Sequence, residues 1–175
     1  MKKTVCFLTA LSVLLALLGF ALYHRSGSGT ALALAVTFGT VSYHFVMRLA
    51  VGWTVGAVMN NRADLTKSWY RCRAWEKRFY ARLRVRRWGK KLPTFQPSYF
   101  DPEKHSWSEI AQAMCQAEVV HEIIAVLSFV PVLFSIRAGE LPVFLVTSVL
   151  SAGADLLFVI LQRYNRSRVM RLLRE

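Results

Sequence analysis

The stretch TVCFLTALSVLLALLGFALY, residues Thr4 to Tyr23, decides the fold class because it is apolar and carries no charge. A helix needs about 20 predominantly apolar residues to cross the hydrocarbon core of a bilayer. The preceding MKK is typical of a secretory signal peptide. However, the apolar run is longer than a signal core, and no clear small-residue cleavage site follows it. We therefore predict an uncleaved membrane span.

Three further apolar stretches predict spans at about residues 30–59, 114–136 and 141–161. With residues 4–23 they predict an all-α integral membrane protein with four transmembrane helices, forming a single membrane domain over 1–175. A hydrophobic content of 54% with a formal charge of +13 suits apolar spans joined by basic loops, and does not suit a soluble globule. The three cysteines have no paired spacing, so we predict neither a disulfide nor a zinc site.

Basic residues are distributed unevenly between the connections, which predicts the orientation in the membrane. Residues 60–113 contain thirteen Lys and Arg against five Asp and Glu, and the tail at 162–175 adds five Arg. The other two connections, HRSGSG and RAGE, carry one Arg each. Since Lys and Arg favour the cytoplasmic side, we predict that both termini and the central segment are cytoplasmic.

The central connection contains TKSWYRCRAWEKRFYARLRVRRWGKK, residues 66–91, which we call the basic segment. It predicts a basic amphipathic helix at the lipid headgroups. One arc of its helical wheel holds Trp69, Cys72, Trp75, Phe79, Tyr80 and Leu83. The segment would anchor the topology, or would dock a phosphate-bearing donor such as acyl-CoA. We do not expect it to bind nucleic acid, because the rings are needed at the membrane.

Polar side chains recur at membrane depth in three of the predicted spans: His44, Arg48, Glu118, His121, Glu122, Asp155 and Gln162. Such groups are costly in hydrocarbon and usually face a protein interior or a wet cavity. Spacings of three, four or seven residues put those of each span on one helix face. We predict that they converge on a site near the cytoplasmic side. The alternative is that pairs such as Arg48 with Glu118 or Asp155 only hold helices together.

The residue types limit the chemistry of such a site. A histidine accepts a hydroxyl proton near neutral pH, and a neighbouring carboxylate orients its ring. No serine elbow or P-loop supports a serine hydrolase or a nucleotidase. A metal site is an alternative, because Glu118 and His121 form an E-x-x-H motif that His44 and Glu122 would complete. A non-enzymatic protein that binds lipid or stabilises a partner is another.

Four successive stretches of the chain are YHFVMR, a Trp- and Arg-rich segment ending in WGKKLP, AEVVHE and QRYNRSR. In these stretches the chain resembles the glycosyl-4,4′-diaponeurosporenoate acyltransferase family. The resemblance covers about residues 43–168. It implies a small bacterial inner-membrane protein, linked to carotenoid glycolipid synthesis, that transfers a fatty acyl group to a sugar hydroxyl on a lipid. The chain departs from the family pattern at Asp155, near an expected asparagine, and at Gln116, where an arginine is expected. These departures bear on the substrate more than on the fold.

The resemblance and the polar residues together assign catalytic roles. His121 would be the base on the acceptor hydroxyl and Glu118 would orient it, while His44 or Arg48 would stabilise the oxyanion. The metal alternative would instead use His44, Glu118, His121 and Glu122 as ligands.

The same reasoning assigns residues to substrate binding. The donor phosphates would be held by Arg163, Arg166 and Lys90 or Lys91. The other residues assigned to substrate are Glu122, Asp155, Gln162, Tyr164 and Asn165. The reaction needs no cofactor, with acyl-CoA as the expected donor and a lipid-linked acceptor among the membrane lipids. The G-x-x-x-G spacing of Gly52 and Gly56 permits a homodimer.

Overall fold

The computed structural model describes residues 2–138 and 141–173, and within them it contains helices and no strand. The seven α-helices are α1 (Lys2–Ser26), α2 (Gly29–Met59), α3 (Ala74–Arg82), α4 (Val85–Trp88), α5 (Trp107–Leu127), α6 (Val130–Ala138) and α7 (Leu141–Leu172). Short 3-10 turns occupy Ser68–Tyr70, Gly89–Lys91 and Pro97–Phe100. The predicted all-α class is confirmed.

Four helical stretches are long and apolar enough to cross a membrane: Lys3–Ser26, Gly29–Met59, Trp107–Ile136 and Leu141–Leu172. Large apolar side chains are exposed along them, for example Leu17 at 62% and Ile136 at 83%. Contiguous apolar surface of this kind needs a lipid environment. The chain is therefore a multi-pass membrane protein, and the four predicted spans are confirmed.

The chain divides into two compact units, and α2, α5 and α7 contribute residues to both. The first unit comprises Met1–Ala50 and Ile124–Gly153, and the second comprises Val51–Ile123 and Ala154–Glu175. Each unit is described separately below. The single membrane domain stays a prediction.

In the first unit, α1 and α2 are joined by a tight turn and approach closely. Gly27 adopts a positive φ of 62° and donates its N–H to Tyr23 O at 2.8 Å, which ends α1. At Gly19 the backbones nearly touch, because a Cβ added there would lie 2.8 Å from Ala35 N. Glycine therefore sets the separation of the two helices at this level.

The third span is interrupted just before Pro131, where α5 ends at Leu127 and α6 begins at Val130. Proline has no N–H, so it cannot donate to Leu127 O four residues earlier. Tyr43 Oη instead donates to that carbonyl at 2.9 Å. The buried backbone oxygen is thus satisfied by α2, and the break needs no water at membrane depth.

In the second unit, α2 ends in two consecutive left-handed residues, Asn60 (φ 45°) and Asn61 (φ 54°). Asparagine tolerates this conformation better than most residues. The side chain of Gln116 accepts the Asn61 N–H at 2.6 Å, and that of Gln112 accepts the Ala63 N–H at 3.2 Å. Gln116, which departs from the family pattern, thus has a structural contact in this chain.

The basic segment is helical in part, but the prediction of one continuous helix is wrong. It is extended at Arg73 (ψ 159°) and left-handed at Arg84 (φ 51°), on either side of α3. A continuous helix would need Trp69 O to accept the Arg73 N–H. Trp69 O instead accepts from Arg163 Nη1 at 3.1 Å. A side chain of α7 therefore competes with the helical hydrogen bond.

The short helix α3 has an apolar exposed side and a buried polar side. Trp75 and Phe79 are exposed, as are Trp69 before the helix and Leu83 after it, which fits the predicted interfacial arc. Tyr80 does not belong to that arc, because it is 5% exposed and packs edge-on against Tyr164. Burial raises the pKa of its phenol, which donates to Glu76 Oε2 at 3.2 Å.

The start of α5 and the end of α7 share a small apolar core, formed by Ile110, Ala111, Met114 and Val169. This packing explains why α7 continues to Leu172, although the predicted span ended at residue 161. The predicted tail at 162–175 is therefore helical as far as the structure describes it.

The orientation can be tested with single cysteines in a cysteine-free chain. We expect an impermeant thiol reagent on intact cells to label Ser28→Cys and to miss Gln96→Cys, because the first lies between α1 and α2 and the second lies in the basic central connection. Permeabilised cells, in which both should react, are the control. Labelling of Gln96→Cys from outside would contradict the predicted topology.

The contact at Gly19 predicts a size limit. Gly19→Ala should lower the apparent Tm in detergent, because its new Cβ meets Ala35 backbone, and overpacking costs about 1–3 kcal/mol. Gly39→Ala is the matched control, since a Cβ there meets nothing within 4 Å. Equal Tm values for the two variants would show that α1 and α2 do not pack closely at this position.

Candidate functional site

The second unit contains a buried carboxylate held by two guanidinium groups. Glu118 of α5 is 0% exposed, and its oxygens form ion pairs with Arg163 and Arg166 of α7. The Arg163 Nη1 to Glu118 Oε1 distance is 2.5 Å. Arg166 is itself only 2% exposed. Buried charges of this kind are tolerated only when each one is paired and hydrogen-bonded.

A second carboxylate balances the charge. Glu76 of α3 accepts from Arg163 Nη2 at 2.9 Å, so two carboxylates face two guanidinium groups. We call Glu76, Glu118, Arg163 and Arg166 the arginine–carboxylate cluster. The same two arginines donate to the backbone oxygens of Trp69, Tyr70 and Arg71. The cluster therefore fastens the connection before α3 to α5 and α7.

These contacts bear on two sequence-based assignments, which stay predictions. Glu118 was expected to orient His121, but both of its oxygens are engaged by Arg163 and Arg166. The two arginines were expected to hold donor phosphates at the surface, but their guanidinium groups lie in buried or half-buried ion pairs. The cluster resembles the alternative in which buried ion pairs hold helices together.

His121 is oriented by a different carboxylate. Its Nδ1 lies 2.8 Å from Asp155 Oδ1 of α7, and its ring stacks on Phe158 with centroids 4.7 Å apart and an interplanar angle of 10°. The Asp155 side chain is 4% exposed, whereas that of His121 is 23% exposed. The buried carboxylate thus holds a ring that remains accessible. We call His121 and Asp155 the histidine–aspartate pair.

The geometry of the histidine–aspartate pair is suited to proton transfer. A carboxylate that accepts from Nδ1–H leaves Nε2 as the basic atom and stabilises the imidazolium that forms there. Within the part of the chain that the structure describes, no second hydrogen bond to the His121 ring is seen. Asp155, which was assigned to substrate binding, contacts His121 in the structure, and its binding role stays a prediction.

The first unit contains its own polar group of side chains, which we call the serine–histidine cluster: His44, Arg48, Ser128 and Ser151. Ser151 Oγ lies 3.1 Å from His44 Nδ1 and 2.9 Å from Ser128 Oγ, and it accepts from Arg48 Nη2 at 2.9 Å. Arg48 Nη1 also donates to His44 O at 3.2 Å. The oxyanion role predicted for His44 or Arg48 stays a prediction.

The other residues assigned to substrate have varied surroundings. Glu122 accepts from Trp69 Nε1 at 3.2 Å, and Tyr164 packs on Tyr80. Gln162 and Asn165 are half-buried, whereas Lys90 and Lys91 are exposed. Their roles in binding stay predictions.

The metal alternative gains no support from the described residues. Among them, no group of three or more His, Cys, Asp or Glu side chains is arranged to hold a metal ion. Glu118, one of the four ligands considered, already has an ion pair on each oxygen.

Sequence reasoning missed Glu76, Ser151 and Phe158. Glu76 had a visible signal, since it is the one acidic residue within the basic segment. Ser151 and Phe158 had none, because serine and phenylalanine are common in apolar helices. Their contacts with His44 and His121 depend on how the helices are rotated.

Comparison with known families identifies a related family. The family model described as glycosyl-4,4′-diaponeurosporenoate acyltransferase matches residues 66–175, well over half of the chain. The match includes the basic segment, AEVVHE and QRYNRSR, and does not include YHFVMR at Tyr43–Arg48. No curated protein and no solved structure matches the chain.

The arginine–carboxylate cluster predicts that Glu118 stabilises the fold. Glu118→Gln keeps the shape but removes the charge between two buried cations, and breaking a buried pair costs about 3–5 kcal/mol. We expect a clearly lower apparent Tm, while Glu103→Gln, at an exposed position, should leave the Tm unchanged. A Glu118→Gln protein with unchanged Tm and no turnover would contradict this and restore a chemical role for Glu118.

Proposed function

Because the chain belongs to the glycosyl-4,4′-diaponeurosporenoate acyltransferase family, we propose that it transfers a fatty acyl group to a hydroxyl of a membrane glycolipid. The observation that carries the proposal is the histidine–aspartate pair, in which Asp155 Oδ1 lies 2.8 Å from His121 Nδ1. Both residues lie within the stretch that matches the family. An oriented imidazole is the group that such a transfer needs as a base.

The proposed reaction begins at the acceptor hydroxyl. His121 Nε2 takes the hydroxyl proton as the acceptor oxygen forms a bond to the acyl carbonyl carbon. A tetrahedral intermediate results, with negative charge on the former carbonyl oxygen. The bond from that carbon to the sulfur or oxygen of the donor then breaks. The imidazolium returns its proton to the leaving group, so the histidine ends each cycle neutral.

Asp155 has two tasks in this scheme. Its carboxylate keeps the proton of the neutral ring on Nδ1, which leaves Nε2 free to accept another. It also stabilises the imidazolium of the intermediate, and its burial strengthens that attraction by limiting solvent screening. Phe158 stacks on the ring and limits its rotation.

The acceptor and the surroundings follow from the family and the composition. The acceptor is a lipid that carries a sugar hydroxyl, and the donor is acyl-CoA or another activated acyl group. The protein lies in the bacterial inner membrane with both termini in the cytoplasm, as the Lys and Arg distribution indicates. The homodimer through Gly52 and Gly56 stays a prediction.

The proposal is tested with acyl transfer in membranes that contain the protein, radiolabelled acyl-CoA and a glycolipid extract. His121→Ala should reduce transfer on the order of 10²–10⁴-fold, the range for loss of a general base. Asp155→Asn should reduce it by a comparable factor, because an amide N–H at Nδ1 reverses the tautomer. His105→Ala, the same change at a half-buried position in the loop before α5, should leave transfer unchanged.

Thermal unfolding of each variant separates chemistry from folding. Normal Tm values with lost transfer support the proposed roles. Full transfer by His121→Ala would remove the general-base role. Absence of transfer by the wild-type protein with every glycolipid fraction would favour the non-enzymatic alternative.

A further inference from the structure

A cavity of about 490 Å³ in the second unit is lined by the chain before α3, by α3 itself and by the end of α7. Four cationic residues line it: Arg71, Lys77, Arg171 and Arg166, the last of which is already paired with Glu118. Hydroxyl groups of Thr66 and Ser167 lie among them. The catalytic scheme above uses none of Arg71, Lys77 and Arg171. The sequence analysis assigned no role to any of them singly, although Arg71 and Lys77 lie in the basic segment that was considered as a docking surface for a donor.

The charge of this cavity is one-sided. Among the described residues that line it, none carries a carboxylate. A second cavity in the same unit, of about 570 Å³, is lined by Asp64 and Glu109 together with Arg62 and His105, so its charge is mixed. The excess of basic residues over the whole chain therefore does not make every cavity cationic.

We propose that this basic cavity binds the phosphate-bearing part of the acyl donor. The inference rests on the proposed acyl transfer and adds a place for the donor. Guanidinium groups bind phosphate through paired N–H donors, and lysine adds a mobile charge. Two kinds of acyl donor carry such phosphates, namely a soluble acyl thioester of a phosphorylated nucleotide and an anionic phospholipid.

The cavity is held in shape by the arginine–carboxylate cluster. Arg166 lines the cavity and donates to Tyr70 O from Nη2 at 2.9 Å and from Nε at 3.2 Å. Its guanidinium also lies 5.2 Å from the centroid of the Tyr70 ring. One wall of the cavity is thereby fixed to α7 before any ligand arrives. A site organised in advance loses less entropy on binding.

Cys72 provides a binding readout that does not depend on activity. Its thiol lines the cavity and is half-buried, whereas Cys115 is fully buried and Cys6 is exposed in α1. Burial, together with nearby Glu76, raises the pKa of the Cys72 thiol. We therefore specify labelling at alkaline pH, where more of the reactive thiolate is present.

The experiment measures the rate at which N-ethylmaleimide labels Cys72 in full-length protein, resolved by peptide mass spectrometry, with Cys6 as the internal control. In phosphatidylcholine vesicles, adenosine 3′,5′-bisphosphate at ten times its Kd should slow Cys72 labelling about tenfold and leave Cys6 unchanged. In a second arm, phosphatidylglycerol vesicles replace phosphatidylcholine and no nucleotide is added. Slower labelling of Cys72, which we call protection, in the first arm assigns a soluble thioester donor. Protection in the second arm alone assigns a phospholipid donor.

Charge reversals locate the site. Lys77→Glu and Arg71→Glu should each abolish protection at the same ligand concentration, measured against the unliganded rate of the same variant. Arg78→Glu makes the same change at the next residue of α3, outside the cavity lining, and should keep protection. Lys90→Glu tests the position expected from sequence and should also keep it.

Three results would overturn the inference. The first is that neither probe protects Cys72, and the second is that Arg78→Glu loses protection as completely as Lys77→Glu. The third is that protection is lost in Lys90→Glu alone. Failure of the proposed function gives a different pattern. Protection would then persist in a protein without acyl transfer. Transfer by a wild-type protein that shows no protection would reject the cavity and leave the function standing.

Discussion

The ion pairs of Glu118 with Arg163 and Arg166 are the interaction on which the second unit depends. A carboxylate without solvent contact is unstable alone, and two neighbouring guanidinium groups would repel each other without it. Glu76 supplies the second negative charge, so that two carboxylates balance two guanidinium groups. Because Glu76 belongs to α3, this balance of charge also determines where α3 lies. The backbone oxygens of Trp69, Tyr70 and Arg71 accept further N–H donors of the same two arginines. Buried electrostatics thus hold a surface connection in place, in addition to the apolar packing of Leu65 on the small core.

Much of the fold could be predicted because membrane spans are local features of the sequence. About 20 apolar residues identify a span whatever its neighbours are. The basic segment could not be predicted in the same way. Its amphipathic pattern indicates one helix, but hydrogen bonds from Arg163, more than 90 residues later, compete for its carbonyl groups. The break before Pro131 could be predicted only in part. The proline indicates the break, whereas the hydrogen bond from Tyr43 to Leu127 O is evident only in the structure.

For the candidate site, sequence reasoning identified the residues better than their pairing. His121, Glu118 and Asp155 each have an ionisable partner, as the cost of charge in hydrocarbon requires. Spacing along α5 favoured Glu118 as the partner of His121, because the two are three residues apart. The structure pairs His121 with Asp155 instead, 34 residues away. Contacts between helices depend on the rotation of each helix about its axis, and one sequence does not reveal that rotation.

The length of α7 has a consequence for the size of the donor. Asp155 orients the proposed base and Arg166 lines the basic cavity, and eleven residues of one uninterrupted helix separate them. At 1.5 Å per residue they lie roughly 16 Å apart along the axis. A helix is stiff over this distance, so α7 fixes the separation between Asp155 and Arg166. A donor whose phosphate sits in the cavity needs a long arm to bring its carbonyl to His121. Acyl phosphates, whose phosphate adjoins the carbonyl, are too short to bridge it, and of the two donor kinds considered above the soluble thioester has the longer arm.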